Sequence, residues 1–352
     1  MLATTHSKNT DDRSTLKQSH CFVEDNETSR NHEGLSQLVA LRQKFEEDGL
    51  FRISRVWICA EIIVCLLAHV LCFFLFREFG ALAVLLDTIV CIHVVWWIHD
   101  AGHEAYFETK KVAQFAAESM GIIFLGMPQL EYHFDIHRQH HRKTNILNRD
   151  PALNTGPVTW DPAQRKYEST FRASLRPFLW LGVILPLTWP ILTLQCTWIL
   201  VERQNWLRLS VVALRWCLFV ALFKENSFLL LIPPLVTGFV LGLSASLNHF
   251  HMPIWHAEKP WLSRVFMSTQ NIQPQSRLLG WLMGGLNCHV EHHLFPNMPS
   301  RHLRKAAPYV EQLAHSTRHP YHANGLLPSF RLLLKKLNEN DSHVILQENE
   351  HA

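Results

Sequence analysis

The chain has 352 residues and a formal net charge of +3, which is too small to imply nucleic-acid binding, and no basic recognition motif appears. Charged residues make up 18% and hydrophobic residues 48%, but the two are segregated. Long apolar stretches alternate with polar blocks that hold nearly all of the histidine, lysine and arginine.

Residues 1–33 are polar, lack the apolar core of a signal peptide, and read as a disordered tail. Residues 35–48 place Leu35, Leu38, Val39, Arg42 and Phe45 at helical spacing, with Gly49 as a stop. This is an amphipathic helix, either lying on a membrane surface or packed as an ordinary soluble helix. Val56–Phe76 is 21 residues long with one acid, Glu61, and matches the span of a bilayer core. Ala81–Ile98 is a second such stretch, separated only by Arg77–Gly80, so the two form a hairpin. Phe178–Leu200 is a third, with Pro186 and Pro190 as kinks, followed by Trp206–Phe223 and Phe228–Leu247.

Residues 101–177 carry ten Lys or Arg, whereas the short connections on the other side carry only Arg77 and Arg203. The positive-inside rule therefore places 101–177 in the cytosol. If residues 248 onward share that face, an even number of crossings separates 177 from 248. Arg208 and Arg215 interrupt Trp206–Phe223, so that segment is expected to lie at the interface. The expected fold is an all-α integral membrane protein with about four transmembrane helices at 56–76, 81–98, 178–200 and 228–247. A cytosolic helical cap over 99–177 and 248–340 and a polar C-terminal tail over 341–352 complete it. Glu61, His69, Asp87 and His93 fall inside the apolar runs, where either a function or pairing within the bundle accounts for them. Six cysteines (59, 65, 72, 91, 196 and 217) also lie in apolar runs and read as packing residues; Cys288 is expected to remain a thiol. In the polar C-terminal region, Arg301, Arg304, Lys305, Arg331, Lys335 and Lys336 either sit against anionic headgroups or are simply solvated.

Three histidine clusters stand out: His99 and His103 in HDAGH; His137, His140 and His141 in HRQHH; His289, His292 and His293 in HVEHH. Residues three and four apart share a helical face, so each cluster presents its imidazoles together. Eight imidazoles are too many for one zinc, which takes about four ligands, and suit two redox metal ions. Imidazole serves iron, zinc and copper alike, so the ligands alone do not name the metal. Asp100, Asp135 and Glu291 adjoin the clusters and are candidates to orient the rings. The pattern reads as a metalloenzyme that activates oxygen. A membrane metal transporter or receptor is the competing class, and it would place ionisable residues along a path through the spans.

The clusters, their order and their spacing relative to the hairpins resemble the membrane fatty acid desaturase superfamily, whose boxes are HxxxH, HxxHH and HxxHH or QxxHH. TNILNRDPAL after the second cluster and GGLNCHVEHHLFPNMP followed by RHLRKAAPYV look most like front-end and sphingolipid desaturases. The resemblance implies a di-iron site and dioxygen as co-substrate. It also implies a cis double bond inserted into a fatty acyl lipid or acyl thioester. The eight box histidines carry over as metal ligands. The matching end of the last span, Leu247–His251, supplies a further one: His249, with Asn248 as its outer partner and His251 as runner-up. Trp96, Trp97 and Trp281 are candidates for an acyl tunnel or for an interfacial belt. Two departures appear: His289 stands where front-end enzymes usually have Gln, and no His-Pro-Gly-Gly haem segment of a fused cytochrome b5 occurs. A separate electron donor, cytochrome b5 or ferredoxin with its reductase, is therefore expected. A multi-pass location follows, with the metal site facing the cytosol, in the endoplasmic reticulum or a bacterial inner membrane. Hydroxylases, acetylenases and epoxygenases of the same superfamily share these boxes.

Overall fold

In a computed structural model of the chain, the described residues are 31–339, apart from 155, 157, 224–227 and 230. The expected tails at 1–33 and 341–352 therefore lie outside them, except that 31–33 already belong to the first helix. The described residues are helices joined by turns. The one sheet among them is a two-residue parallel pair, Asn271–Ile272 with Ala323–Asn324.

Helix α1 (31–47) is amphipathic, and Leu38 and Phe45 of its apolar face pack on protein while Val39 stays exposed. Phe45 is fully buried, 5.3 Å from the ring of Phe295 and 5.7 Å from that of Tyr309. Helix α2 (Arg55–Phe76) starts at Ser54, whose hydroxyl accepts from the Trp57 N–H, and α3 (Glu78–Gly102) follows as its hairpin partner. Gly80 makes the break between them with φ 22° and ψ −91°, a backbone conformation that a Cβ disfavours. The hairpin shows Val64, Leu67, Phe74 and Leu85 outward, each more than half exposed. Such a continuous apolar surface on two long helices is that of a membrane protein. Four of its polar residues pair across the hairpin: His69 Nδ1 with Asp87 at 2.5 Å, both buried, and His93 Nε2 with Glu61 at 2.9 Å, where His93 is partly exposed. Of the two readings given to these four residues, pairing is the one the packing supports.

Helix α4 (Lys110–Met120) and the π-helical turn Gly121–Leu125 run back along α3, so that Phe124 reaches His69 and Cys91, midway along α3. The chain then reverses at Gly126, φ 63°. A helix ending there leaves its last carbonyls without backbone partners, which is costly away from water. Side chains supply the donors. Arg215 approaches the Ile123 and Phe124 carbonyls at 3.4 and 3.5 Å, Trp189 donates to Leu125 at 2.9 Å, and Trp216 donates to Gly126 at 3.1 Å. After the reversal, α5 (Arg138–Lys143) closes the second histidine cluster.

Helices α6 (Thr170–Ile184) and α7 (Thr188–Glu202) are bent by 70° at a break that contains Pro186. Both ends of the pair attach on the histidine side. Arg176 donates to the Glu339 carbonyl at 2.9 Å, and Arg203 pairs with Asp135, two residues before His137, at 2.6 Å. Helix α8 (Trp206–Phe223) then starts at Arg208, which bonds Glu118 and Glu131 at 2.5–2.9 Å, and runs toward the hairpin tip, where Phe219 meets Phe73 at 5.1 Å. Helix α9 (Ile232–His249) returns to the histidine side. It lies so close to α7 that a Cβ on Gly238 would sit 2.7 Å from the Trp189 backbone nitrogen. The bent pair answers to the expected span Phe178–Leu200 either as one broken span or as a re-entrant segment. Of the two arginines that argue against a crossing, Arg208 is held by two carboxylates, whereas Arg215 reaches helix-end carbonyls through Nη2 alone and keeps Nε and Nη1 buried without a hydrogen-bond partner among the described residues. The remaining helices, α10 (Trp261–Ser268), α11 (Arg277–Leu282), α12 (His289–Leu294), α13 (Ser300–Ser316) and α14 (Leu326–Asn338), build the cap around the histidines.

In a cysteine-free background, a single cysteine at Gln204 is expected to react with a membrane-impermeant maleimide from the same side as one at His256. A cysteine at Glu78 should react only from the opposite side. Labelling of position 204 together with position 78 would contradict this path.

Candidate metal centre

Each histidine is delivered by a helix end. His99 lies in the last turn of α3 and His103 caps it, with its N–H bonded to the His99 carbonyl. The π-helix Tyr132–His137 leads into α5, bringing His137, His140 and His141 to the same place. Such wider turns re-aim side chains and recur at functional sites. His249 is the last residue of α9, and α12 carries His289, His292 and His293.

All nine predicted histidines meet, in two groups. In the first, His137 Nε2 lies 2.8 Å from His103 Nε2, 3.1 Å from His99 and 3.2 Å from His141, and His292 lies 3.0 Å from His141. In the second, His249 Nε2 lies 2.7 Å from His289, 3.1 Å from His293 and 3.2 Å from His140. These contacts are not hydrogen bonds where the ring proton is committed elsewhere. His99 Nδ1–H donates to Asp100 at 3.3 Å, His140 Nδ1–H to Asp150 at 3.0 Å, and His249 Nδ1–H to the Ser268 carbonyl at 2.9 Å. A neutral imidazole has one proton, so Nε2 of each of these rings is a bare lone pair. Burial first, then neighbouring imidazoles, holds His103, His137, His141, His289, His292 and His293 well below the usual histidine pKa, in the neutral form. Lone pairs facing each other at about 3 Å repel unless a cation lies between them. That spacing is also the edge expected between nitrogens about 2.0–2.1 Å from a shared metal. The donor set thus fits two metal ions, and all-imidazole donation suits a transition metal.

Of the three acids considered for ring orientation, only Asp100 does this work. Asp135 pairs with Arg203 instead. Glu291 accepts from Asn271 at 2.9 Å and Tyr321 at 2.7 Å, and burial raises its pKa to about 7. Asn248 donates to the Leu286 carbonyl at 3.2 Å, and His251 is not among the imidazoles that meet. Sequence reasoning missed Asp150, fully buried and bonded to His140, the Asn145 N–H and the Ala152 N–H. The Asp-Pro pair ten residues after His140 is the signal that marks it. It also missed His133, whose ring lies 4.6 Å from that of His103 and fits only because Gly102 has no side chain.

A cavity of about 510 Å³ opens beside the histidines, lined by apolar groups such as Trp180, Leu185, Ile191, Leu241 and Phe250. His99, His137, His140, His249 and His289 face it. Among the candidate tryptophans, Trp96 lines this cavity, whereas Trp97 and Trp281 line a separate one.

Long apolar helices with a cluster of histidines that could hold metal beside an apolar cavity fit the class of membrane enzymes with a lipid-like substrate. The fatty acid desaturase family profile matches residues 78–325, and the chain belongs to that family. It is 23% identical over 322 residues to the Delta(5) fatty acid desaturase fat-4 of Caenorhabditis elegans, covering 84% of this chain and 72% of that one. It is 25% identical over 308 residues to the Delta(8)-fatty-acid desaturase of Euglena gracilis, covering 80% and 73%. To human fatty acid desaturase 3 it is 29% identical over 240 residues, covering 61% and 51%.

The buried histidines make the metal-free protein acid-sensitive. Burial lowers His133 to about 3 and His251 to about 4 and holds the cluster histidines low as well, while in the unfolded chain each titrates near 6.5. Between those values the unfolded chain binds more protons, so stability is complete above about pH 6.5 and is lost as pH falls below it. The thermal midpoint of the metal-free protein in detergent is expected to fall steeply from pH 7 to pH 5. The underlying slope is about 1.4 kcal/mol per pH unit for each such histidine. A flat profile would contradict the buried neutral state.

Proposed function

We propose that the protein is an O2-dependent fatty acyl desaturase with a di-iron centre, inserting a cis double bond into an acyl chain. The observation that carries this reading is the opening of five histidines, four of them buried, into one apolar cavity of about 510 Å³. That size suits a single lipid-like ligand. The relatives named as fatty acid desaturases support an acyl substrate.

The nine histidines hold the metals: His99, His103, His137, His141 and His292 one ion, His140, His249, His289 and His293 the other. Two bound iron ions would supply the oxidising power to remove hydrogen from an unactivated methylene. The balance is one CH2–CH2 unit, dioxygen, two electrons and two protons giving CH=CH and two waters, the electrons coming from a separate donor protein. The chain's own residues do the rest. Asp100, Asp150 and the Ser268 carbonyl lock their rings so that Nε2 faces inward, which also raises ring basicity. Trp180, Leu185 and Phe250 exclude water from the reacting carbon and hold the chain against the histidines.

The helices proposed to cross the bilayer are α2, α3, α8 and α9, with α6–α7 entering and leaving on the histidine side. The charge bias of residues 101–177 puts that side in the cytosol. The protein would then be multi-pass in the endoplasmic reticulum or a bacterial inner membrane.

Expression in a host of defined lipid composition is expected to yield new unsaturated acyl chains, identified by mass spectrometry. An oxygen-bearing product would instead assign a hydroxylase or epoxygenase. His140→Ala should abolish the product and lower bound iron. Asp150→Ala should weaken metal retention about 10–100-fold without removing a ligand. Full iron content in both variants would refute the assignment.

A further inference from the structure

A second cavity, of about 370 Å³, lies on the far side of Trp96 from the acyl cavity. It is walled by Glu61 of α2, by His93, Trp96, Trp97 and Asp100 of α3, and by Arg277, Arg301 and Arg304 at the starts of α11 and α13. We propose that this cavity seats the phosphate of one membrane phospholipid headgroup. The inference does not depend on the metal centre or on the reaction carried out there.

Charge is the first argument. Three guanidinium groups and two carboxylates face the cavity. Asp100 is saturated by the Ser300 N–H, the Ser300 hydroxyl, Tyr106 and His99. Glu61 is shared between Arg301 at 2.9 Å and His93 at 2.9 Å. Arg277 and Arg304 make no ion pair among the described residues. The cavity therefore holds uncompensated positive charge carried by groups whose planar forks match phosphate oxygens.

Position is the second. The cavity opens where α2 begins and α3 ends, and its lining includes Trp281 at 58% exposure, with exposed Leu278 on the same short helix. Arg301 lies over Trp57, itself exposed, at 5.7 Å from the ring centroid. Exposed tryptophan and leucine beside arginine is the composition of a membrane–water interface, not of a surface facing bulk water.

Shape is the third, because it favours a small group over a protein partner. Gly284, at φ 58°, leaves room for Trp96, since a Cβ there would fall 2.1 Å from the Trp96 ring. The Trp96 indole N–H is fixed on the Leu282 carbonyl at 3.0 Å. The wall between the two cavities is thus a fixed ring, and the recess behind it is a concave seat for a headgroup.

Native mass spectrometry of the full chain in detergent, titrated with dioleoylphosphatidic acid, tests this. The wild type is expected to retain one lipid preferentially, and Arg277→Gln with Arg304→Gln to weaken it about tenfold or more. Gly280→Leu reaches the recess from another wall, where a Cβ meets only Asn287 at 3.4 Å. It should block the lipid without touching an arginine, and so covers a failure of the charge variant to fold. Arg331→Gln with Lys335→Gln, on α14, should leave retention unchanged. Equal weakening by the α14 pair, or no weakening by either cavity variant, would overturn the proposal. So would displacement of the lipid by millimolar coenzyme A, which would assign the seat to a soluble phosphate ester. Variants that alter only the apparent affinity for a reductant protein, with lipid retention intact, would overturn it in favour of a protein-docking surface.

Discussion

Nitrogen lone pairs that converge within about 3 Å of one another are the constraint on which the rest of the structure depends. Seven Nε2–Nε2 approaches between 2.7 and 3.2 Å are held by four separate pieces of chain: the end of α3, the π-helix and α5, the end of α9, and α12. Asn145 also donates to the His249 carbonyl, and Asn248 to the Leu286 carbonyl just before α12. Asp100 also ties α3 to the start of α13 through the Ser300 N–H and hydroxyl, and Asp150 folds the 144–150 turn onto His140. The acids that orient the rings are therefore the same groups that fasten the cap. Metal bound by these histidines would clasp the domain as well as serve its chemistry.

A second constraint comes from the apolar surroundings. Where the chain reverses at Gly126 beside the middle of α3, four successive carbonyls are met by Arg215, Cys91, Trp189 and Trp216. An unsatisfied carbonyl at that depth costs more than a long polar side chain bent to reach it. Arg215 is in addition stacked against Trp216 and Phe219, so its charge sits between aromatic faces and the negative end of a helix. The same logic explains why His69 and Asp87 are buried as a pair, whereas Glu61 and His93 pair at the edge of the hairpin, where Glu61 also meets Arg301.

Much of the site could be read in the residues because the three- and four-residue spacing of His99/His103, His137/His140/His141 and His289/His292/His293 survives folding unchanged. His249 followed only from the resemblance, since one histidine at a helix end carries no periodic signal. Ring orientation was not legible. Asp135 and Glu291 adjoin the boxes but turn to Arg203 and to Asn271 with Tyr321, whereas Asp150, ten residues away, reaches His140. Neighbourhood in sequence does not fix side-chain direction at a π-helix or a helix end. The path of the chain between 170 and 249 is hard to read from the residues for a related reason. Arg208 and Arg215 count against burial in any hydropathy sum, yet their partners Glu118, Glu131 and the carbonyls at 123 and 124 lie some 90 residues earlier in the chain. Amphipathic spacing in α1 was correct, but its apolar face found Phe295 and Tyr309 before it found lipid.

The most direct test of the central claim is iron K-edge X-ray absorption on the purified chain, with metal content measured on the same sample. The account predicts two irons per chain, a first shell of nitrogen at about 2.1 Å, and the strong outer-shell scattering that imidazole rings produce. One metal per chain, or a shell of sulfur or of oxygen without imidazole scattering, would contradict it.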